Sequence, residues 1–571
     1  MTVTLPRQRV LPRLSTPTRD GVALCTDVFL PDTDAPAPTI LIRTPYGRHA
    51  VFLQSLAVKL SRAGFAVTLQ DSRGRYQSGG QFDLRHEQHD GYDTLAWLAD
   101  QPWCDKRVAL VGLSITGHPN FAMALDPPPA DITIAALINI MGVVDLHSVF
   151  YANGALRLHW ALPWCRMMSA RNMGRSTWKD ADWDRLFRHQ PATEALDSVC
   201  DPSPLWTFAL SSPVRGDRWR DVSIVDRLPE LKVPVLHLSG WHDFMLDQVL
   251  RAWRAIGQSD AAELQRLIIG PWDHQTIFAA FNTSRPGAPR DESRSLDLMS
   301  AVVAWLERLL HGDAGADRRE PDPRVLAYVM EDRSWVHADS FPSSATTIDE
   351  WYLDSDGRAN TSAGDGRLRR DCPIDLNQDT YRFDPADPIP TIGGAIWPFP
   401  GARLAPGALD QSSLRDRGDI LTFIGPPCDA PLTVLGPVHV ELWAASSACD
   451  TDFTAKLVDV DPFGVARIVQ DGIVRARFRD PDREAWLDAH RPYCFTIDVG
   501  AVGHCFKRGH RLRLDISSSN FPKFDRNLNT AAPMHASRAS MVATQTVFSG
   551  GAMPSKLVLP VLTHIAREEP A

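Results

Sequence analysis

The chain has 571 residues, 44% of them hydrophobic and 23% charged. That length exceeds what one hydrophobic core holds and predicts about three domains. The net charge of −9 is mild for the length and no Lys/Arg block stands out, which argues against nucleic-acid and anionic-membrane partners.

Nine cysteines lie scattered from Cys25 to Cys505 with no C-x-x-C pair. An odd, unpatterned set fits a reducing compartment better than a disulfide framework. Met1 to Leu11 lacks a basic start followed by an apolar stretch, so no signal peptide is expected. The longest apolar stretch, Ile132 to Val144, is too short to span a bilayer. A cytoplasmic, soluble protein is the expectation.

In chain order, Asp20-Gly21 opens a β-meander with strands near Val22–Leu30 and Thr39–Arg43. Phe65 to Gln70 is a short apolar run of the kind that forms a buried strand. Asp90 to Ala99 has helical spacing, with Tyr92, Leu95, Ala96 and Leu98 recurring on one side. Then comes Val108-Ala109-Leu110-Val111, broken by Gly112-Leu113-Ser114-Ile115-Thr116-Gly117 and followed by the helix former Phe121 to Leu125. A buried strand, a serine between glycines and a helix make the strand–turn–helix setting of a nucleophile elbow. The spacing is G-x-S-x-x-G rather than the commoner G-x-S-x-G.

From Asp145 to Leu231 aromatic and Arg residues become dense, and a helical insertion over the sheet edge is expected. The sheet resumes at Val233 to Ser239, followed by Gly240-Trp241-His242-Asp243. Leu267 to Ile269 is a third buried run, followed by Gly270-Pro271-Trp272-Asp273-His274. Serine, acid, histidine, each just past a strand, is the chain order of the α/β-hydrolase triad, at the sheet edge where ligands of open α/β sheets gather. A helix from Ser295 to Leu310 should close the domain. From Pro323 the chain is β-rich and turn-rich, predicting a sandwich or jelly roll. The expected division is a core over 1–144 and 233–322, a cap over 145–232 and a β domain over 323–571.

Ser114 is the candidate nucleophile, weak unless a base takes its proton. His274 is the candidate base, and Asp243 would fix its tautomer. Asp273 and His242, each one residue away, compete for the same roles. The backbone N–H of Ile115 is one candidate oxyanion donor. Tyr46, in Arg43-Thr44-Pro45-Tyr46-Gly47, is the second, against the plainer reading of a packing tyrosine. His86-Glu87-Gln88-His89-Asp90 is not H-E-x-x-H, and Asp450, Asp452, Asp459 and Asp461 lack calcium-loop spacing. No metal site is expected, and no glycine-rich nucleotide loop is present.

Arg43-Thr44-Pro45-Tyr46, Gln70-Asp71-Ser72-Arg73-Gly74, Ser78-Gly79-Gly80-Gln81-Phe82, Gln101-Pro102-Trp103, the two motifs ending in Asp243 and His274, and the stretches Asp450–Asp461, Asp471–Ile473 and Ser518–Pro522 together resemble the CocE/NonD family. These are cocaine-esterase-like serine hydrolases related to X-Pro dipeptidyl-peptidases. The resemblance covers nearly the whole chain. It implies an α/β fold class: an α/β-hydrolase core, a helical cap and a C-terminal jelly roll. It implies acyl transfer through Ser114, Asp243 and His274, with Tyr46 and the Ile115 amide as oxyanion donors, and no cofactor. The residue after the nucleophile is usually Tyr in the family and is Ile115 here, which changes a pocket wall.

The superfamily's α-amino-ester hydrolases bind a substrate ammonium with carboxylates two and three residues after the catalytic Asp. Here those positions are Met245 and Leu246, and no acid is obvious around Phe150 to Gly154. A buried ammonium without a counter-charge would be costly. The expected substrate is therefore a small-molecule ester with an uncharged, apolar or aromatic acyl group. Trp160, Trp164, Phe244, Met245, Trp397 and Phe399 are the candidate walls, against ordinary cap packing. An amidase or X-Pro aminopeptidase, an acyltransferase and an inert binding protein are the alternatives. A homodimer is compatible with the sequence.

Overall fold

The computed structural model describes residues 9–129, 131–172, 181–200, 202–281, 296–311, 323–360, 364–399, 401–480 and 483–563. The segment 1–8 of the expected leaderless start and Ser295, the expected first residue of the closing helix, lie outside them. That helix spans Leu298–His311.

The first sheet has ten strands. In chain order they are β1 (Arg9–Pro17), β2 (Ala23–Leu30), β3 (Ala37–Thr44), β4 (Ala66–Asp71), β5 (Cys104–Leu113) and β6 (Thr133–Ile140). After a two-strand hairpin, β7 (Tyr151–Ala152) and β8 (Ala155–Leu156), come β9 (Val235–Gly240), β10 (Gln265–Gly270), β11 (Val325–Val329) and β12 (Ser334–Ala338). The spatial order is β1-β2-β4-β3-β5-β6-β9-β10-β11-β12. From β4 through β11 every neighbour is parallel. The central strands are buried on both faces, as a helix-covered parallel sheet requires: β3, β4 and β9 contain no exposed residue. The helices α1 (Val51–Arg62), α2 (Glu87–Ala99) and α3 (Gly117–Leu125) cover it.

One expected boundary moves. Residues 323–338, expected in the β domain, belong to the core sheet: β11 pairs in parallel with β10, Leu267 opposite Val325, and β12 closes the sheet antiparallel. Val325-Leu326-Ala327-Tyr328-Val329 is a short apolar run that would suit either domain, and only its partner strand decides.

The insertion between β6 and β9 carries α4 (Leu146–Phe150), the β7–β8 hairpin, α5 (Leu158–Ser169) and shorter helices. Its aromatic residues Phe150, Trp160, Trp164 and Trp219 belong to the same buried cluster as Ile138, Leu238 and Trp272 of the core. The cap thus shares the core instead of resting on it. The β domain is eleven strands between Thr346 and Leu562, antiparallel except for one pairing at Arg367 and Ile424. It encloses its own core of Val440, Phe453, Leu457, Ile497 and Leu514.

Two buried joints lock the parts together. The Trp241 indole N–H donates to the Tyr328 carbonyl at 2.6 Å, and a Cβ on Gly503 of the β domain would stand 2.4 Å from that indole. Arg475 is wholly buried between Asp452 and Asp525 at 2.8 and 3.0 Å, while its backbone N–H donates to Asn153 in the cap hairpin. Stripping these charges of water is costly, so both acids are needed to hold the guanidinium.

Three buried histidines are kept neutral. Burial pushes His159 and His535 down to about 3 and His237 down to about 4 from the usual 6.5. His237 uses both ring nitrogens in one tautomer, Nδ1 beside the Asn139 amide at 3.2 Å and Nε2 on Gln265 at 2.9 Å. Below pH 6.5 the unfolded chain takes up protons that the folded chain refuses until about pH 4. Stability is therefore present above pH 6.5 and lost as pH falls toward 4, by up to about 1.4 kcal/mol per pH unit for each such group. The melting temperature should drop between pH 7 and pH 5, and His237→Gln should show a shallower drop. An identical slope in the variant would remove His237 from this account.

Candidate active site

Strand β5 runs out at Leu113 and the backbone turns at once. Ser114 has φ +54°, the left-handed region that an L-residue other than glycine enters only under strain. A single 3-10 turn, Ser114–Thr116, leads into α3. Thr116 clamps the turn: its Oγ1 accepts the Leu113 N–H at 2.8 Å and donates to the Leu113 carbonyl at 2.9 Å. The spaced glycines have a specific use. A Cβ on Gly112 would lie 2.9 Å from Gly117 Cα, and one on Gly117 would lie 2.6 Å from Gly142 Cα. Strand, helix and the loop after β6 meet through bare backbone, which serves the G-x-S-x-x-G spacing.

His274 Nε2 lies 3.1 Å from Ser114 Oγ, and His274 Nδ1 lies 2.8 Å from Asp243 Oδ1. All three side chains are nearly buried. Asp243 also accepts the Met245 N–H at 3.0 Å on Oδ1 and the Ser239 hydroxyl at 2.8 Å on Oδ2. With the carboxylate held by three donors, Nδ1 carries the proton and Nε2 is free to receive one from serine. The loops bearing acid and base touch because Gly240 has no side chain: a Cβ there would lie 2.1 Å from the Trp272 carbonyl oxygen.

The neighbouring candidates point elsewhere. Asp273 Oδ1 accepts the N–H groups of Gln275 and Thr276 and so caps its own turn. His242 Nδ1 has no hydrogen-bond partner among the described residues.

The Ile115 amide starts the turn into α3, where first-turn N–H groups have no intrahelical acceptor and the helix dipole favours negative charge. Tyr46 stands across from it. Its hydroxyl is within hydrogen-bonding reach of Ser114 and accepts the Trp164 indole N–H at 3.3 Å. Burial raises the phenol above its usual pKa, against the opposing pull of those two hydrogen bonds and of Arg75. Tyr46 is therefore a protonated donor, fixed in direction by the indole.

The candidate wall residues divide. Trp160 and Trp164 stack at 5.2 Å, Phe150 meets Trp160 edge-on at 5.0 Å, and Phe244 lies 6.0 Å from Trp160 and 4.7 Å from the His274 ring. These rings form one aromatic surface beside the triad. Met245 is buried in the same cluster. Phe399 comes from the β domain and packs on Trp183 at 4.9 Å and His159 at 5.1 Å, inside the cap. Trp397, partly exposed, lies 5.4 Å from it. Gln275, next to His274, donates to the Pro398 carbonyl at 2.5 Å, which ties this loop to the base.

Ser239, Thr116, Phe150 and the second-side glycine Gly142 were not singled out from sequence. Ser239 sits four residues before Asp243 at the strand end, a spacing that gives no signal of its own. The acids near residue 450 are internal partners: Asp450 pairs with Arg477, Asp452 with Arg475, and Asp459 with His504 and His510. Asp461 accepts the Phe463 and Val465 N–H groups at a hairpin tip. No group of three or more potential metal ligands occurs among the described residues, and no helix among them is long and apolar enough to cross a membrane.

The sheet order, the strained serine after β5 and the helical insertion after β6 define a hydrolase of the α/β-hydrolase class. Residues 20–276 match the family model described as X-Pro dipeptidyl-peptidase (S15 family), and residues 318–558 match the X-Pro dipeptidyl-peptidase C-terminal non-catalytic domain. A cocaine esterase from Rhodococcus sp. (strain MB1 Bresler) is 32% identical, with 96% of this chain and 97% of the relative covered. The chain belongs to the CocE/NonD family of serine hydrolases in the X-Pro dipeptidyl-peptidase group. Among solved structures, an α-amino acid ester hydrolase superposes with a TM-score of 0.82 at 23% identity, covering 97% of this chain and 96% of the other. A CocE/NonD family hydrolase from Staphylococcus aureus gives 0.71 at 16% identity, covering 97% and 94%. Both share the fold.

Gly240→Ala should force the acid and base loops apart. It is expected to lower the melting temperature and cut ester turnover together, with Ser114 still present. Parental turnover in that variant would show that the close approach is not needed. Asp243→Asn keeps the shape but loses the charge and favours the wrong histidine tautomer. A loss in kcat of about 10⁴ is expected, by analogy with other serine triads.

Proposed function

We propose that the protein is a carboxylic ester hydrolase that forms an acyl-enzyme on Ser114 and takes an uncharged, apolar or aromatic acyl group. The observation that carries this is the serine–histidine–aspartate hydrogen-bond chain, with two donors, Tyr46 OH and Ile115 N–H, beside the serine. Ser114 Oγ attacks the ester carbonyl carbon while His274 Nε2 takes its proton. The carbonyl oxygen becomes negative and receives hydrogen bonds from Tyr46 and Ile115. The C–O bond to the alcohol breaks, and His274 returns its proton to the leaving oxygen. Water then attacks the acyl-enzyme by the same steps in reverse order, releasing the carboxylic acid and the free serine.

The acyl preference follows from the walls. The relative named cocaine esterase supports an ester as substrate. Phe244 lies against the His274 ring and Trp160 backs it; an aromatic acyl group packed against Phe244 would gain about 0.5–1.5 kcal/mol per ring pair. The positions that would carry acids for an ammonium are the buried Met245 and Leu246. The next acid, Asp247, is already bridged to Arg157 at 3.0 Å. Nine scattered cysteines with no C-x-x-C pair fit a reducing compartment, and we place the protein in the cytoplasm.

A fluorophosphonate should add once to the parent and not at all to Ser114→Ala. The same variant should lose hydrolysis of p-nitrophenyl butyrate. p-Nitrophenyl benzoate should be turned over far faster than Ala-Pro-p-nitroanilide, and Phe244→Ala should raise KM for the benzoate more than for the acetate. Comparable anilide turnover would favour the peptidase reading. Absence of both adduct and turnover on folded parent would favour an inert site.

A further inference from the structure

Arg75 is a buried cation with no ion pair among the described residues, and Asp71, already bridged to Arg48, acts on it only through space. Arg75 sits in the turn after β4 and has no exposed surface. Its neighbours in sequence and space are conventionally paired: Arg43 with Glu87, Arg48 with Asp27 and Asp71, Arg73 with Asp20 and Asp90. Arg75 instead donates only to carbonyl oxygens. Its Nε bonds Pro45 at 2.9 Å, and Nη1 bonds Ala170 and Met167. Its Nη2 has no hydrogen-bond partner among the described residues. The rings of Tyr76 and Phe82 lie 5.7 and 5.9 Å from the guanidinium carbon.

A charge taken out of water without an ion pair is costly, and burial lowers the Arg75 pKa against the opposing pull of Tyr76, Tyr46 and Asp71. What it holds is therefore informative. Pro45 precedes Tyr46, so the Nε bond fixes the turn that aims the phenol. Met167 and Ala170 are the carbonyl end of α5, a favourable place for a cation. One turn back on that helix is Trp164, whose indole donates to the Tyr46 hydroxyl. One side chain thus sets both Tyr46 and the donor that orients it. The positive charge also acts on the phenol, pulling against the effect of its burial.

We propose that Arg75 is a positioning residue of the oxyanion site, whose guanidinium clamps the Tyr46 turn to the end of α5 and strengthens the phenol as a donor when the carbonyl oxygen becomes negative. The inference rests on the reading of Tyr46 as an oxyanion donor. Removing a whole donor from such a site costs about 10²–10³ in kcat, and weakening one costs less. Arg75→Met should lower kcat for p-nitrophenyl butyrate about tenfold with little change in KM. Arg75→Lys, which keeps the charge but not the fork, should lie between Met and parent.

The deciding measurement is a double-mutant cycle with Tyr46→Phe on the full chain, with melting temperatures recorded for every variant. If Arg75 acts through Tyr46, adding Arg75→Met to Tyr46→Phe should cost less than about twofold in kcat. The same tenfold loss in both backgrounds would overturn the inference, leaving Arg75 a structural residue while the oxyanion reading stands. Parental kcat in Tyr46→Phe alone would remove the oxyanion reading, and this inference with it. Should Arg75→Met fail to melt cooperatively, Arg75→Gln takes its place in the cycle, with the same two outcomes deciding.

Discussion

The site depends on the register of parallel strands. β9 and β10 pair residue for residue up to Gly240 opposite Gly270. Both chains then leave the sheet at the same height, so Asp243 and His274 arrive side by side. Strand β5 reaches the same edge two strands away through β6, with Leu113 opposite Ile140 and Ile140 opposite Leu238. A slip of one residue would turn every buried side chain to the opposite face and separate the base from its acid. The hydrophobic burial of β3, β4 and β9 on both faces makes such a slip costly. The triad is thus held by the packing of the sheet as much as by its own hydrogen bonds.

Register alone would still leave the loops too far apart. Glycines bring them together at two contacts, Gly112 through Gly117 to Gly142, and Gly240 to the Trp272 carbonyl. At each, backbone meets backbone at a distance that excludes a methyl group. The strain at Ser114 is sustained there because strand, helix and neighbouring loop all fix the turn. The Tyr46 side of the site is built differently, from charge and hydrogen bonds. Tyr46 is aimed by the Trp164 indole and by the carbonyl-bound Arg75.

Much of this was readable in the chain. Ser114, Asp243 and His274 each follow a short apolar run ending on glycine, and a glycine after a buried strand marks where the chain leaves a sheet. The core strands were visible as short apolar runs and the helical character of 145–232 as a change in composition, both of which are local properties. The pairing of β11 with the core was not, because an apolar pentapeptide does not name its partner. Nor was Phe399 packed on Trp183 and His159, a contact between residues more than two hundred apart in sequence. Nothing in the sequence sets Arg75 apart from Arg73 two residues earlier. Its difference from Arg43, Arg48 and Arg73 lies in what surrounds it, which only the folded chain displays.

The loop carrying Trp397 and Phe399 belongs to a domain with a separate core, yet it is hydrogen-bonded to the residue after His274. A loop of one folding unit is therefore anchored beside the triad of another. Substitutions in that loop act on the packing beside His274 while the strained elbow and the paired strand ends stay untouched. The same division has a cost for anyone seeking a smaller catalyst. Cutting the chain after the first sheet would uncover Trp241, on which Gly503 of the β domain packs, and the Trp183 side of the cap, on which Phe399 packs. The reactive serine would survive in sequence but stand in an open, wetter site, where its donors are worth less.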